Sequence, residues 1–347
     1  MFLYIPPLSF LAFIENILMT NPSIFTPSDK FSVAPMIDVT NRTFRRMARI
    51  FSKKAMLYTE MIAAQAITHG KEYLIDHNPE EENPCTLQLG GSDRDVLAKA
   101  CKVGEKFGYD AINLNAGCPS DKVQSGSFGA ILIRTPEVIT DCLKAMQDAV
   151  SIPVTVKTRI GVDELDDFEY TKKIVASVYD TGSRHIILHA RKAWLNGLSP
   201  KENRSVPPLD YQRVYALKEF FPNLSITING GIKSIDDCKE QLQHVEGVML
   251  GRAIMDDPYL LAFVDHEIYG VDSPILSKDE IFEKIVEFSY DFVKEGNKIH
   301  YLGNHVLNLF TGCKGARRYR NYLSCHMHEL GAGPEVLVEA FKKMKEA

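Results

Sequence analysis

A cysteine within a loop of turn-forming residues is the first feature of this sequence that could do chemistry. In the stretch NLNAGCPSDKV, residues 113–123, Cys118 follows a short apolar run and stands among Asn, Gly, Pro, Ser and Asp. Because these residue types favour turns, we expect the thiol to lie outside the core, although free cysteines are usually buried. A thiol is far more acidic than a serine hydroxyl, so proton transfer and nucleophilic attack are both within its reach. The alternative is a small apolar side chain that caps the end of a strand.

Two turns that contain glycine indicate a site for an anion. The sequences INGGI and MLGRA carry Gly230, Gly231 and Gly251, and Arg252 follows the last of these directly. Glycine lets backbone N–H groups approach an anion closely, and the arginine adds a further donor. An ordinary tight turn is the alternative for either sequence alone.

Two further polar residues suit a heterocyclic ligand. Gln88 offers an amide that both donates and accepts hydrogen bonds, which fits a ring with alternating carbonyl and N–H groups. Lys157 supplies a positive charge, which would stabilise the negative charge that a reduced flavin carries near N1. A Schiff-base lysine, as in aldolases, is the alternative role for Lys157.

These polar residues follow short apolar runs, and the spacing of the runs predicts a barrel. Segments rich in Val, Ile, Leu and Thr alternate with segments of helical periodicity, which is the pattern of βα units in a parallel sheet. We count eight strands: SVAP near residue 32, MLYTE near 56, TLQL near 86, AINLN near 111, PVTVKT near 153, HIILH near 185, SITIN near 225 and GVML near 247. Eight units without a GxGxxG turn favour an α/β fold of the (β/α)8 TIM-barrel type over a Rossmann domain. The candidate residues would then meet at the carboxyl mouth, with the glycine turns after strands seven and eight at the usual phosphate site.

The chain divides into three predicted regions. Residues 31–272 form the barrel, and residues 273–347 show helical periodicity punctuated by Gly and Pro, which predicts a small C-terminal α-helical domain. The second helical segment of that domain is NHVLNLF, residues 304–310. Residues 1–30 are expected to be a poorly ordered extension, because their apolar start lacks a basic lead and contains two prolines. Translation from Met19 is the alternative.

Composition and charge narrow the class of protein. With 347 residues, 45% of them hydrophobic and 24% charged, the chain is an ordinary globular protein. Seven cysteines without a CxxC pair argue for reduced thiols in the cytoplasm, and we expect no metal, no membrane partner and a monomer. The net charge of -5 gives no overall signal for nucleic acid, but basic clusters occur at residues 41–55, 183–205 and 297–328. We interpret the first cluster as a solvated helix face.

The candidate residues lie in motifs that resemble those of the tRNA-dihydrouridine synthases. The motifs are APMIDVTNRTFR, LQLGG, NLNAGCPSDKVQSGSFGA, VKTRIGVD, LHARKAWLNGLSPKENR, INGGI and MLGRA, spread over residues 31–322. The segment HARKAWLNGLSPKENR is similar to the DusA subfamily in particular. The resemblance implies FMN as cofactor, NADPH as reductant and Cys118 as catalytic acid. It also implies FMN contacts at Pro35, Met36, Ile37, Gln88, Lys157, His189, Asn229, Gly230, Gly231, Gly251 and Arg252.

The implied reaction is reduction of the C5=C6 bond of uridines 20 and 20a in the tRNA D-loop. A hydride reaches C6 from the flavin N5, and a thiol that is still protonated at neutral pH gives a proton to C5. The base must leave its stack, so the protein must bind the surrounding RNA through the C-terminal helices and the mouth. We expect tRNA contacts at Asn115, Arg159, Arg191, Lys192, Arg317 and Arg320. The alternatives are a flavin enzyme that acts on a free pyrimidine, such as a dihydroorotate dehydrogenase, and a tRNA-binding module without catalysis.

Overall fold

The structure, a computed structural model, describes residues 27–120, 123–124 and 126–346. Eight short strands form its centre, and each lies where the sequence predicts one. They are β1 (Phe31–Val33), β2 (Leu57–Ala63), β3 (Cys85–Gly90), β4 (Ala111–Ala116), β5 (Val154–Arg159), β6 (His185–His189), β7 (Ser225–Asn229) and β8 (Gly247–Leu250). The expectation about the N-terminal extension falls, up to residue 26, outside the described residues.

The strands form a parallel barrel. Neighbours along the sheet run β1, β8, β7, β6, β5, β4, β3, β2, and every paired ladder is parallel. The ends of the sheet meet where Ser32 bridges Met56, the residue before β2. There the N–H of Val33 donates to the carbonyl of Met56 at 2.9 Å. The predicted (β/α)8 barrel is therefore confirmed.

Helices surround the barrel and cover its outer face. They are α1 (Arg42–Phe51), α2 (Ala64–Thr68), α3 (Pro79–Glu82), α4 (Arg94–Lys106), α5 (Pro136–Ala149), α6 (Phe168–Tyr179), α7 (Tyr211–Phe220), α8 (Ile235–Gln241), α9 (Arg252–Asp256) and α10 (Val264–Glu267). Shorter 3-10 turns are Pro27–Lys30, Glu72–Ile75, Gly129–Arg134, Glu202–Arg204 and Pro258–Phe263. Capping side chains start several helices; Asn41, for example, accepts the N–H of Phe44.

Alternation along the central strands separates the core from the site. In β4, Ile112 and Leu114 belong to the main apolar cluster. The intervening Asn113 and Asn115 are buried and bonded to polar side chains of the adjacent strands. Because successive strand residues point to opposite faces, the apolar set packs beneath the helices and the polar set fills the barrel. The barrel interior is thus hydrogen-bonded near its carboxyl end.

The C-terminal region is helical, as predicted. Its helices are α11 (Lys278–Lys294), α12 (Ile299–Val306), α13 (Ala316–His326) and α14 (Glu335–Lys345). Helix α12 begins at Ile299, five residues before the predicted segment, because Ile299, Leu302, Gly303 and Val306 form one buried face. The apolar cluster of the barrel continues into these helices. Within the described part of the chain, no helix is long and apolar enough to cross a membrane.

The arginines of α1 join the barrel to the C-terminal helices. Arg45 lies 2.7 Å from Glu82, and both side chains are buried. Arg46 donates to Glu295, the residue that follows α11, at 2.7 and 2.8 Å. Arg49 is buried and donates to backbone carbonyls, that of Pro84 at 2.6 Å among them. The interpretation of this cluster as a solvated helix face is therefore wrong for Arg45 and Arg49.

Glu82→Gln is expected to lower the free energy of unfolding by about 3–5 kcal/mol, because Arg45 would remain buried without its counter-charge. Although burial opposes ionisation of Glu82, its contacts with His77 and Arg45 hold the pKa of this carboxyl at about 2. Urea denaturation at neutral pH measures the loss. The matched control is Asp95→Asn, which removes the partner of exposed Arg94 and should cost under about 1 kcal/mol. Equal losses in the two variants would contradict the assignment.

Candidate active site

The loop after β4 carries Cys118 to the carboxyl end of the barrel. Its thiol is free and half-buried. Its backbone N–H donates to Oδ1 of Asn115 at 3.0 Å, and its carbonyl accepts the N–H of Ala130 at 2.8 Å. Gly129 has a φ of +78°, and a Cβ there would lie 2.5 Å from the Cys118 carbonyl oxygen. The loop conformation that presents the thiol therefore requires glycine at position 129.

Lys157 lies on the strand next to the cysteine loop. It pairs with Asn115 across the β4–β5 ladder, and its Nζ donates to Oδ1 of Asn229 at 3.0 Å. Burial and the neighbouring Arg159 lower the pKa of Lys157 to about 7. In the described part of the chain no carboxylate forms an ion pair with it. The mouth thus contains a buried amine that an anionic ligand would keep charged.

Arg159, the last residue of β5, connects the loops after β4 and β6 beneath the mouth. Its guanidinium donates to the carbonyls of Gly117 at 2.8 Å, Lys192 at 3.0 Å and Asn203 at 3.1 Å. Only 4% of the residue is exposed, and burial lowers its pKa to about 10. The structure therefore gives Arg159 a supporting role, and its contact with tRNA stays a prediction.

His189 and the glycine pair after β7 pack against each other. Gly230 and Gly231 have φ values of +112° and +77°. A Cβ on Gly230 would lie 2.5 Å from Cδ2 of His189, and one on Gly231 would lie 2.4 Å from Leu209. Burial and nearby cations hold the pKa of His189 well below its usual value of 6.5, so its imidazole is neutral at pH 7. Only glycine fits this turn, so backbone atoms rather than side chains face the mouth there.

Two arginines flank that turn. Arg191 donates to the carbonyls of Ser205 and Pro207, but its Nε is buried without a partner among the described residues. Arg252 is exposed at the start of α9 and donates to the carbonyl of Arg204 at 2.7 Å. A phosphate group would fit here, because it could accept from the unused Nε–H of Arg191 and from glycine backbone N–H groups. Neither arginine forms an ion pair with a carboxylate of the described residues. The residues present thus fit the FMN expected from the sequence: this turn would hold its phosphate, and Lys157 would supply a positive charge to its ring.

The remaining predicted cofactor residues lie in two places. Met36 and Gly251 are neighbours, since a Cβ on Gly251 would lie 3.5 Å from Sδ of Met36. Ile37, which follows Pro35 and Met36 after β1, has 55% of its surface exposed. Gln88 is fully buried, and its amide bonds to Asn113 and Asn115. Its contact with FMN therefore stays a prediction.

The predicted tRNA residues are spread more widely. Lys192, in the loop after β6, pairs with Asp166 at 2.8 Å and lies 4.2 Å from the ring centre of Trp194. Arg317 and Arg320 belong to α13, where Arg317 is exposed and Arg320 is half-buried.

Two hydrogen bonds join the segment before α13 to the barrel mouth. Nδ2 of Asn308 donates to the carbonyl of Met255, and Oγ1 of Thr311 donates to that of Asp256. Both acceptors lie in α9, the helix that Arg252 begins. The basic start of α13 is therefore connected to the side of the barrel that carries the mouth.

Sequence reasoning missed two buried polar residues inside the barrel, Asn113 and Thr155. Nδ2 of Asn113 donates to Oγ1 of Thr155 at 2.9 Å, and the two face each other across the β4–β5 ladder. The signal was present in AINLN and PVTVKT, where polar residues alternate with apolar ones inside buried strands. Such alternation indicates one polar face, and in a closed barrel that face is the interior.

A closed parallel barrel with a thiol, a buried amine and a glycine turn flanked by arginines at its carboxyl mouth is typical of a TIM-barrel enzyme. The family model for dihydrouridine synthase (Dus) matches residues 32–346. A tRNA-dihydrouridine(20/20a) synthase of Vibrio parahaemolyticus is 47% identical over 320 residues, 92% of this chain and 98% of the relative. Proteins of the same name from Pasteurella multocida and Yersinia pestis are each 48% identical, over 90% of this chain and 95% and 91% of their own lengths. The chain belongs to the dihydrouridine synthase family.

Proposed function

We propose that this protein is a tRNA-dihydrouridine(20/20a) synthase, which uses NADPH and FMN to reduce D-loop uridines 20 and 20a to 5,6-dihydrouridine. The observation that carries the proposal is the placement of Cys118, in the loop after β4, close to Lys157 of the neighbouring strand β5 at one mouth. Relatives of that name, 47% and 48% identical over most of their length, support the choice of substrate. The free state of all seven cysteines agrees with a reducing compartment, and we place the activity in the cytoplasm.

The residues of the mouth divide the binding of FMN among them. Gly230, Gly231 and Arg252, with the unused Nε of Arg191, would hold the phosphate. Lys157 would place its positive charge beside the ring. When bound, FMN supplies the hydride that reduces uracil at C6. His189 stays neutral, so it can accept or donate a hydrogen bond without adding charge.

Cys118 provides the proton for C5 of the uracil. Its loop is fixed by Asn115 on one side and Ala130 on the other, so the thiol has a defined place at the mouth. A protonated thiol can donate when the carbanion character at C5 develops, and the resulting thiolate is stabilised by the nearby cationic side chains. Asn115 keeps one amide hydrogen for the base, since Nδ2 carries two and donates only one of them, to Gln88.

The decisive experiment mixes tRNA lacking dihydrouridine with enzyme whose flavin has been reduced by NADPH under anaerobic conditions. The flavin spectrum should return to the oxidised form, and nucleoside mass analysis should find dihydrouridine at positions 20 and 20a. Dihydroorotate and orotate serve as control substrates. Turnover of these and not of tRNA would indicate a free-pyrimidine enzyme, and turnover of neither would indicate a binding module.

The double variant Arg317→Ala, Arg320→Ala is expected to weaken tRNA binding by about tenfold at moderate salt. The slope of the logarithm of the binding constant against the logarithm of the salt concentration should become shallower by up to about two, one for each lost phosphate contact. Reduction of the flavin by NADPH should be unchanged, because the substitutions lie outside the mouth. Filter binding at several salt concentrations measures the effect. The charge-matched control is Lys99→Ala, Lys102→Ala on α4, where both lysines are exposed. Equal affinity in both double variants would remove α13 from the RNA site.

A further inference from the structure

A chain of hydrogen-bonded amides runs from the cysteine loop into the barrel. Oδ1 of Asn115 accepts the backbone N–H groups of Gly117 and Cys118 at 3.1 and 3.0 Å. Nδ2 of Asn115 donates to Oε1 of Gln88 at 2.9 Å, and Nε2 of Gln88 donates to Oδ1 of Asn113 at 2.8 Å. We call these three side chains the amide chain.

At its lower end the amide chain is hydrogen-bonded to a hydroxyl group. Nδ2 of Asn113 donates to Oγ1 of Thr155 at 2.9 Å. That hydroxyl donates in turn to the backbone carbonyl of Ile112 at 3.4 Å. The Thr155 hydroxyl also forms a hydrogen bond with the hydroxyl of Tyr58, and its oxygen has a lone pair to accept from Asn113.

The direction of every bond in the amide chain is determined at its upper end. The atom of Asn115 that meets two N–H groups must be its oxygen, so its nitrogen faces Gln88. Because that nitrogen donates, the atom of Gln88 that faces it must be the oxygen. By the same step the nitrogen of Gln88 faces the oxygen of Asn113, and the nitrogen of Asn113 faces Thr155. Reversal of any one amide would bring two donors or two acceptors face to face. Because Gln88 and Asn113 are both 0% exposed, water does not compensate such a mismatch.

We propose that Asn113 and Thr155 are positioning residues for the reduction, which act through Gln88 and Asn115 to hold Cys118 in place at the mouth. The inference rests on the proposed function, since it concerns the placement of the proton donor. Neither residue reaches the mouth itself: both are buried within the barrel, one layer below Asn115 and Lys157 on the same strands.

Thr155→Val tests the inference because valine removes the hydroxyl and keeps the branched shape. The N–H of Asn113 then lacks an acceptor, and the amide chain cannot reverse, since its upper end is fixed. We expect oxidation of the reduced, FMN-loaded enzyme by tRNA to slow by about tenfold, with KM for tRNA nearly unchanged. Thr155→Ser retains the hydroxyl and should stay within about twofold of the natural protein. Asn113→Ser, which also breaks the amide chain, is the second variant if the valine protein does not fold.

Alkylation of Cys118 gives a readout that does not depend on activity. Iodoacetamide treatment followed by peptide mass spectrometry measures the rate at each thiol, and exposed Cys313 and Cys325 serve as internal references. Thr155→Val should raise the rate at Cys118 by about threefold or more relative to these references, because a loosened loop exposes the thiol. Thr171→Val is the matched control: it also removes a buried hydroxyl bonded to a backbone carbonyl, but on α6. It should leave Cys118 unchanged.

The inference holds only if Thr155→Val changes both turnover and alkylation of Cys118 while Thr155→Ser changes neither. Slowed turnover with unchanged alkylation would overturn it, because Thr155 would then act by another route. Faster alkylation with unchanged turnover would overturn it as well, as would an equal rise at Cys313. Failure of the natural enzyme to reduce tRNA would refute the proposed function instead, and the alkylation rates would still report separately on the amide chain.

Discussion

Cys118→Ala is expected to slow the oxidation of reduced, FMN-loaded enzyme by tRNA by about 100- to 10,000-fold, the usual contribution of a general acid. The substitution removes the proposed proton donor for C5 and leaves the proposed cofactor residues in place. Reduction of the flavin by NADPH should therefore keep its rate. Stopped-flow spectrophotometry in the flavin absorption band measures both half-reactions on the same preparation.

Two other cysteines provide the controls for this result. Cys313 and Cys325 are exposed and belong to the C-terminal region, so alanine at either should leave both half-reactions unchanged. If Cys118→Ala keeps the tRNA-dependent rate within about fivefold, another group supplies the proton. Lys157 is then the candidate, because burial brings its pKa to about 7.

Lys157→Met is expected to weaken FMN binding by about 10- to 100-fold, because it removes the positive charge that we propose to lie beside the flavin ring, where Asn229 holds the amine. The same substitution should raise the melting temperature of the FMN-free protein by several degrees. Burial of an amine without an ion-pair partner costs stability, and methionine fills similar space without charge. Fluorescence titration with FMN and thermal unfolding of the FMN-free protein test the two halves of this prediction.

The pH dependence of stability distinguishes this explanation from simple repacking. Burial lowers the pKa of Lys157 from 10.5 to about 7 in the folded protein. Between these values the unfolded chain binds a proton that the folded protein lacks, so the stability of the FMN-free protein should rise with pH across this window. Lys157→Met should remove that rise.

Lys218→Met is the matched control for the buried lysine, because Lys218 forms an ion pair with Glu246 at 2.7 Å. It should neither raise the melting temperature nor change the affinity for FMN. A stability curve that is equally steep in the natural and Lys157→Met proteins would refute the assignment of the low pKa to Lys157.

The strand pattern in the sequence was enough to predict the barrel and the residues that lie at its carboxyl mouth. Strand positions follow from local alternation and β-branched content, which depend on neighbouring residues only. Once eight parallel strands are assigned, their carboxyl ends must converge. Cys118, Lys157, His189 and the glycine pair could therefore be placed together although they are far apart in the chain.

The partners of the polar side chains could not be predicted from the sequence and became known from the folded structure. The charges of α1 are obvious from the sequence, but Glu82 lies 37 residues from Arg45, and Glu295 lies 249 residues from Arg46. Arginine is a residue type that commonly contacts RNA, yet the guanidinium of Arg159 donates to three backbone carbonyls of the protein itself. Residue type determines what a side chain can bind, whereas burial and distant neighbours determine what it does bind, and these arise only when the chain folds.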